Sequence, residues 1–240
     1  MAYSGTAGRG ARRRRRGPGN LLALPVVLFA GVVVLAAGYV AYVLWPRWPG
    51  PAAAPQAPSL PITIGGVTFN IPPAAIRVKV QQRPGTQERV DLVYLWPSLA
   101  PPDPAAKLVP PQSAQEVDRV FLTIAANDGS LPPAERAKTI YPRYLAETAQ
   151  PGAEGLAIRG FRDGTPYQGE DLIYDPTASD LFLVRCTRQG ANLTPGICLY
   201  DRRIGGADVM LRFPREWLGN WRNVSQLIER LIASFKSAGG

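Results

Sequence analysis

Residues 21–45, LLALPVVLFAGVVVLAAGYVAYVLW, run for 25 positions without a charge. A helix of that length rises roughly 37 Å. A bilayer core is about 30 Å thick, so such a helix crosses it with some tilt. Pro25 falls near the start, where a missing N–H costs least. Tyr39, Tyr42, Trp45 and Trp48 gather at the other end, the pattern of an interfacial aromatic belt. The apolar core of a cleaved signal peptide is shorter and ends at small residues. This run ends in YVLWPRW, and Ala52 to Ala54 stand well past that bulky end. The segment is therefore expected to remain as a single-pass signal anchor, with the lipid bilayer as a partner.

Charge sets the expected orientation. Of the 27 cations, Arg9, Arg12, Arg13, Arg14, Arg15 and Arg16 precede the run and Arg47 follows it, while no acid occurs before Glu88. The positive-inside rule puts residues 1–20 in the cytoplasm as a basic tail and the remainder on the far side. The arginine run reads first as a topology determinant that also touches anionic lipid head groups. A docking tail for a cytoplasmic partner is the alternative. Setting those seven aside leaves 20 cations against 18 acids after residue 50. The outer part is thus nearly balanced, and a nucleic-acid-binding domain should instead show a basic face on the fold itself. Nucleic acid is not an expected partner.

Residues 46–61, PRWPGPAAAPQAPSLP, hold six prolines. Such a stretch favours extended polyproline II and reads as a spacer. The outer domain is expected over residues 62–238. ITI-GG-VTFNI is a hairpin signal about Gly65 and Gly66. AIRVKV (75–80) alternates apolar and basic residues. RVDLVYLW (89–96) sets Val90, Leu92, Tyr94 and Trp96 on one face at period two, and VFLTIA (120–125) follows as a further strand. After Ser130, Pro132 and Pro133 suit a helix start, and Ala137, Ile140, Tyr141, Tyr144 and Leu145 make a stripe that Pro142 must kink or divide. Residues 156–161, 170–174, 181–188, 196–204 and 207–213 read as an antiparallel meander. In WRNVSQLIERLIASFK, Val224, Leu227, Ile228, Leu231, Ile232 and Phe235 mark a helix with one buried face. Runs of strands with helices set apart predict an α+β domain, a sheet with a mid-chain helix and a C-terminal amphipathic helix.

The chain contains no histidine, which removes Ser-His and Cys-His catalysis and imidazole metal ligation. No Walker, G-x-G-x-x-G, G-x-S-x-G or S-x-x-K pattern occurs, so no cofactor, metal or catalytic residue is assigned. Cys186 and Cys198 lie twelve apart on successive predicted strands. Facing positions on such strands bring Cα atoms within disulfide range, and a structural disulfide is the leading reading. Two buried thiols or a redox pair are the alternatives. In GFRDGTPYQGEDLIYD, Arg162, Asp163, Glu170 and Asp171 form a candidate polar cluster. Paired carboxylates can do acid–base work or bind Ca²⁺. The spacing does not match a Ca²⁺ loop, and a solvated turn with ion pairs to nearby arginines is the simpler reading.

The stretches GGVTFNIPPAAIR (65–77), QERVDLVYLWPSL (87–99), DGSLPPAERAKTIYPRYL (128–145), FRDGTPYQGEDLIY (161–174) and LRFPREWLGNWR (211–222) resemble an uncharacterised family of small signal-anchored bacterial envelope proteins. The resemblance covers most of residues 62–235 and implies no activity and no site residues.

These readings lead to a bacterial inner-membrane protein with its N-terminus in the cytoplasm and its C-terminal domain in the periplasm. The expected role is a non-enzymatic interaction or accessory domain with envelope proteins as partners. A histidine-free envelope hydrolase or transferase using carboxylates, or a lipid- or glycan-binding domain, are the alternatives.

Overall fold

The computed structural model describes residues 20–44, 57–103, 118–178, 182–188 and 196–236. The chain divides into two compact units, Met1–Pro49 and Gly50–Gly240. Arg12 to Arg16 and the greater part of the proline-rich stretch lie outside the described residues.

The first unit contributes α1 (Asn20–Leu44), with Pro25 inside its first turns. Every side chain described on it, from Pro25 to Val43, is exposed. The nineteen residues Pro25–Val43, at a mean hydropathy of 2.4, make a helix long and apolar enough to cross a bilayer.

The second unit is α+β. Its strands are β1 (Leu60–Ile64), β2 (Val67–Ile71), β3 (Gly85–Thr86), β4 (Arg89–Leu95), β5 (Arg119–Ala126), β6 (Gln150–Pro151), β7 (Ala157–Gly160), β8 (Glu170–Tyr174), β9 (Leu183–Thr187), β10 (Ile197–Ile204) and β11 (Ala207–Pro214). Its helices are α2 (Pro133–Thr139) and α3 (Trp221–Ser234). Strands β1 to β3 form a small sheet in the order β2-β1-β3. The other eight form one antiparallel sheet in the order β4-β5-β11-β10-β9-β8-β7-β6. The second half of that sheet is a meander. The first half is not, because β5 pairs with β11 across more than eighty residues of sequence.

Period-two side chains explain which face is buried. Val90, Leu92 and Tyr94 of β4 lie on one face, with Val120, Leu122 and Ile124 of β5 and Val209, Leu211 and Phe213 of β11. Helix α3 lays Trp221, Val224, Ile228, Leu231 and Ile232 into the same core, and the small sheet adds Ile62, Ile64, Phe69 and Ile71. Phe235, just past α3, joins the three layers. Its ring meets Phe69 edge-on at 6.5 Å and Tyr94 at 6.1 Å, and its carbonyl accepts the Asn70 N–H at 2.9 Å. On the opposite face a smaller core forms over β8 from Tyr141, Leu145, Phe161 and Leu172.

Two glycine pairs lock the turns together. Gly65 and Gly66 both hold positive φ in the two-residue β1–β2 turn. Gly65 also lies so close to Gly206, in the β10–β11 turn, that a Cβ there would sit 1.9 Å from the Gly206 carbonyl oxygen. Only glycine fits.

Two segments differ from a plain reading of periodicity. Residues 75–80 alternate but form no strand. They run from one short 3₁₀ turn (Pro73–Ala75) to another (Lys79–Gln81), with a single bridge from Ile76 to Leu92, and leave Val78 and Val80 exposed. The helix after Ser130 is divided. Pro142 has no N–H to continue it, so α2 ends at Thr139 and Tyr141–Arg143 form a separate 3₁₀ turn.

Candidate functional site

The polar cluster marked in the sequence does not assemble. Glu170 and Asp171 are neighbours on β8, so their side chains leave opposite faces of the sheet. Glu170 pairs with Arg185 at 3.0 Å. Asp171 is buried between two arginines, Arg188 at 2.8 Å and Arg215 at 2.7 Å. Arg162 and Asp163 are exposed in the β7–β8 connection, where Arg162 donates to the Arg143 carbonyl. The two carboxylates therefore act as separate ties, and Asp171 fastens β8 to the segment after β11.

Beside Asp171 in the ladder stands Cys186, and opposite Cys186 stands Cys198. Their sulfurs are bonded at 1.99 Å, with Cα atoms 3.9 Å apart. A directly opposed pair at short separation belongs to the non-hydrogen-bonded positions of an antiparallel ladder. Both cysteines are fully buried in the main core.

A concave feature of the domain lies elsewhere. A groove of about 510 Å³ runs between α2 and β10. Pro132, Pro133 and Ala137 form one wall, and Leu145, Leu172 and Leu183 form its apolar base. Residues of both sheet faces line it. Leu172, Leu183, Asp201 and Arg203 belong to the α2 face, and Tyr200 and Arg202 to the α3 face together with Glu229 of α3. The groove therefore takes residues from both faces of the sheet beside the end of β10. Pairing of β9 with β10 covers only residues 198–200, while β10 continues to Ile204.

The polar groups there are tightly arranged. Tyr200 donates its hydroxyl to Glu229 at 2.8 Å, and Arg202 pairs with the same carboxylate oxygen. Burial and the neighbouring Glu229 charge push the Tyr200 hydroxyl up to about 12, so it stays a hydrogen-bond donor at neutral pH. Burial opposes the charge of Arg202, but the hydrogen bond and charge of Glu229 outweigh it and raise the guanidinium above its ordinary value. Arg203 forks onto Asp208 at 2.7 and 2.9 Å and donates to the Ser130 carbonyl at 2.9 Å, fixing the approach to α2. Arg136 of α2 reaches Asp201 of β10 at 3.1 Å. The Nε of Arg136 and the Oδ1 of Asp201 are both buried with no hydrogen-bond partner among the described residues.

Sequence reasoning did not single out Tyr200, Asp201, Arg136 or Glu229. A signal existed in ICLYDRRI, where three consecutive charged residues occupy a strand otherwise bounded by apolar positions.

No protein-family profile matches the chain, and no curated protein sequence matches it. Two solved structures are similar. One is Smlt3025, an immunity protein of the Stenotrophomonas maltophilia type IV secretion system, at 16% identity and a TM-score of 0.52, covering 74% of this chain and 93% of that one. The other is the Neisseria meningitidis iron-regulated outer membrane lipoprotein FrpD, at 13% identity and a TM-score of 0.42, covering 75% and 95%. At 16% identity the first likeness is one of fold.

Proposed function

We propose that the chain is a membrane-tethered interaction domain. In this reading α1 anchors it in a bacterial inner membrane, the arginine tail stays in the cytoplasm, and the α+β unit works in the periplasm on another envelope protein. The observation that carries the reading is the groove between α2 and β10. Its apolar wall and its rim of fixed charges are features that hold a ligand in place. The carboxylates in it, Asp201 and Glu229, are each bound to an arginine, which suits recognition better than proton transfer. A buried disulfide supports an oxidising compartment. The similar fold named as an immunity protein supports a role in protein binding by analogy.

The test is photo-crosslinking in living cells. A photoreactive residue replaces Ala137 in the groove of the full-length chain, or Gln226 on the exposed side of α3 as control. A discrete adduct with an envelope protein is expected at position 137 and not at 226. No adduct at 137, or the same adducts at both, would defeat the proposal. A reporter active only outside the cytoplasm, fused after Gly240, should be active, and an inactive one would overturn the topology.

A further inference from the structure

The large sheet ends on one side at β4, and that edge is closed. The Asp91 N–H donates to Gln81 Oε1 at 2.9 Å, and the Asp91 carbonyl accepts the Arg77 N–H at 2.9 Å. The 3₁₀ turns of residues 73–81 thus cover it, as expected of a managed edge. Two more glutamines fix the covering segment. Gln82 donates to the Pro73 and Ile76 carbonyls at 3.2 and 3.1 Å, and buried Gln87 donates to the Gln81 and Arg83 carbonyls at 3.1 and 2.7 Å. The loop held in this way turns apolar side chains outward. Val78 is 40% exposed and Val80 56%, with Lys79 exposed between them and Arg77 and Arg83 exposed on either side.

The charge around these valines has one sign. Residues 72–87 hold Arg77, Lys79 and Arg83 and no acid. None of the three forms an ion pair among the described residues. Arg77 lies over the ring of the half-exposed Phe121 at 4.8 Å, a contact that leaves its charge in place. The acids next in sequence are Glu88 and Asp91, and Asp91 is already paired with Arg89 at 2.7 Å. The loop also lies near the start of the unit. Strand β3 runs parallel to β1 with Gly85 beside Ile62, so Arg83 falls toward the Leu60 end of β1, where the chain enters from the linker.

We propose that the loop of residues 77–83 seats on the surface of an anionic phospholipid bilayer, the one in which the chain is anchored. This rests on the reading of α1 as an anchor and is independent of the groove. Exposed apolar side chains set among cations suit the boundary between head groups and acyl chains, where valines leave water and cations meet phosphates. A protein partner fits less well, because two valines fall far short of the roughly 800 Å² per side that a stable protein interface buries. The contact can be weak and still be occupied. Residues 45–59 join α1 to β1 and reach at most about 50 Å, which holds the loop at high effective concentration near the membrane.

The experiment uses the full-length chain in lipid nanodiscs, with a fluorophore on Pro84→Cys beside the loop and nitroxide quenchers on the lipid head groups. Cys186 and Cys198 are bonded to each other, so the added thiol takes the label. The control label is on Asp163→Cys, exposed toward the other end of the eight-stranded sheet. In discs of phosphatidylcholine and phosphatidylglycerol at 3:1, the label at 84 should be quenched and the label at 163 should not. In phosphatidylcholine alone, quenching at 84 should fall to the level at 163. Lys79→Gln with Arg83→Gln should lower the docked-to-free ratio by about thirtyfold, about fivefold for each cation. Val78→Ser with Val80→Ser should lower it as well. An unchanged denaturation midpoint checks that these exposed changes keep the fold. If a variant unfolds, salt decides on the unsubstituted loop, since 1 M salt shortens screening to about 3 Å and should release the contact. Equal quenching at 84 and 163, equal quenching in the two lipid mixtures, or quenching that survives both the glutamine pair and 1 M salt would each overturn the proposal. Shielding at 84 that needs co-reconstituted envelope proteins would give the loop to a protein partner and overturn it too. A chain that does not enter the discs would sink the anchor reading itself, whereas a chain that enters with position 84 unquenched refutes the docking alone.

Discussion

Helices α3 and α2 lie on opposite faces of the same sheet, and they are held by different forces. Over fourteen residues α3 buries five side chains, and Phe235 extends the seam. Each such side chain contributes roughly 1.5–3 kcal/mol on removal from water, and no single direction or partner is essential. Over seven residues α2 buries none completely. Its ties include the Arg136–Asp201 pair and the turn that follows it, where Tyr141 packs edge-on against Phe161 at 5.5 Å and Tyr167 at 5.3 Å. Few apolar contacts and a small number of directional ones are the marks of a segment that opens at low cost. The groove lies beside α2. The firm half of the domain fixes β10, and the lighter half lines the groove.

The largest effect should come from the seam. Phe235→Ala removes a fully buried ring that touches both sheets, and should destabilise the unit by about 3–5 kcal/mol. Denaturant titration should show a lower midpoint at unchanged slope. A loss under about 1 kcal/mol would mean that α3 is not the main anchor and would erase the contrast with α2.

Next comes the disulfide, which joins β9 to β10 at the junction between the two halves. Converting both Cys186 and Cys198 to Ser should cost about 3 kcal/mol for a closed loop of this size. The intact protein should also be two mass units lighter than its reduced form. The loss should be felt on β9, whose pairing with β10 is only three residues long. Uniform loosening of β4 and β5 in hydrogen exchange would show that the junction is not local.

How much of this was written in the sequence depends on the range of the interactions. Period-two runs marked β4, β5 and β8 to β11 because each strand carries its own buried face, and α3 was legible from its 3.6-residue seam. Residues 75–80 show the limit. Their alternation is local, but the neighbour they meet is the edge of β4, reached through one bridge and a glutamine side chain. The pairing of β5 with β11 left no local trace, because register between distant strands is decided by the closed sheet. The groove was illegible for the same reason. Its lining joins residues far apart in sequence, from α2 to Glu229 of α3, which returns to a tyrosine 29 positions earlier. Of the residues singled out as a polar cluster, Glu170 and Asp171 serve as ties between strands, while Arg162 and Asp163 remain on the surface.

A smaller effect should come from α2. Arg136→Ala leaves Asp201 without its cation, and should cost about 1–2 kcal/mol because the pair is only partly shielded. The loss should be regional. Amides of residues 133–145 should exchange faster while those of α3 keep their protection. Asp201→Asn in the same chain should recover part of the loss, since it removes the uncompensated charge. Equal acceleration in α2 and α3 would show that the two helices open as one unit.

The smallest effect concerns the closed edge at β4. Burial alone would raise the Asp91 carboxyl, but hydrogen bonds from Arg89, Thr123 and Gln81, with the Arg89 charge, outweigh it and hold it below its ordinary value. A carboxylate depressed on folding stabilises the native state above the unfolded value of about 3.9. That contribution is lost as pH falls through the lower, folded value. Because Arg89 is more than half exposed, the whole contribution should stay under about 1 kcal/mol. Asp128 and Asp175 are lowered too, through turn hydrogen bonds, so acid melting of the wild type alone would mix the three. The informative quantity is the difference between wild type and Asp91→Asn. It should be constant from neutral pH down to about 5 and shrink toward zero in stronger acid. The backbone cap should survive the change, because the Asp91 N–H bond to Gln81 does not use the carboxylate. Gln81→Ala should therefore speed exchange of the Asp91 amide, while Asp91→Asn should leave it slow. If Asp91→Asn exposes that amide as fully as Gln81→Ala, the edge is closed by charge and not by the side-chain cap. The side-chain seal of the β4 edge would then lose its structural basis.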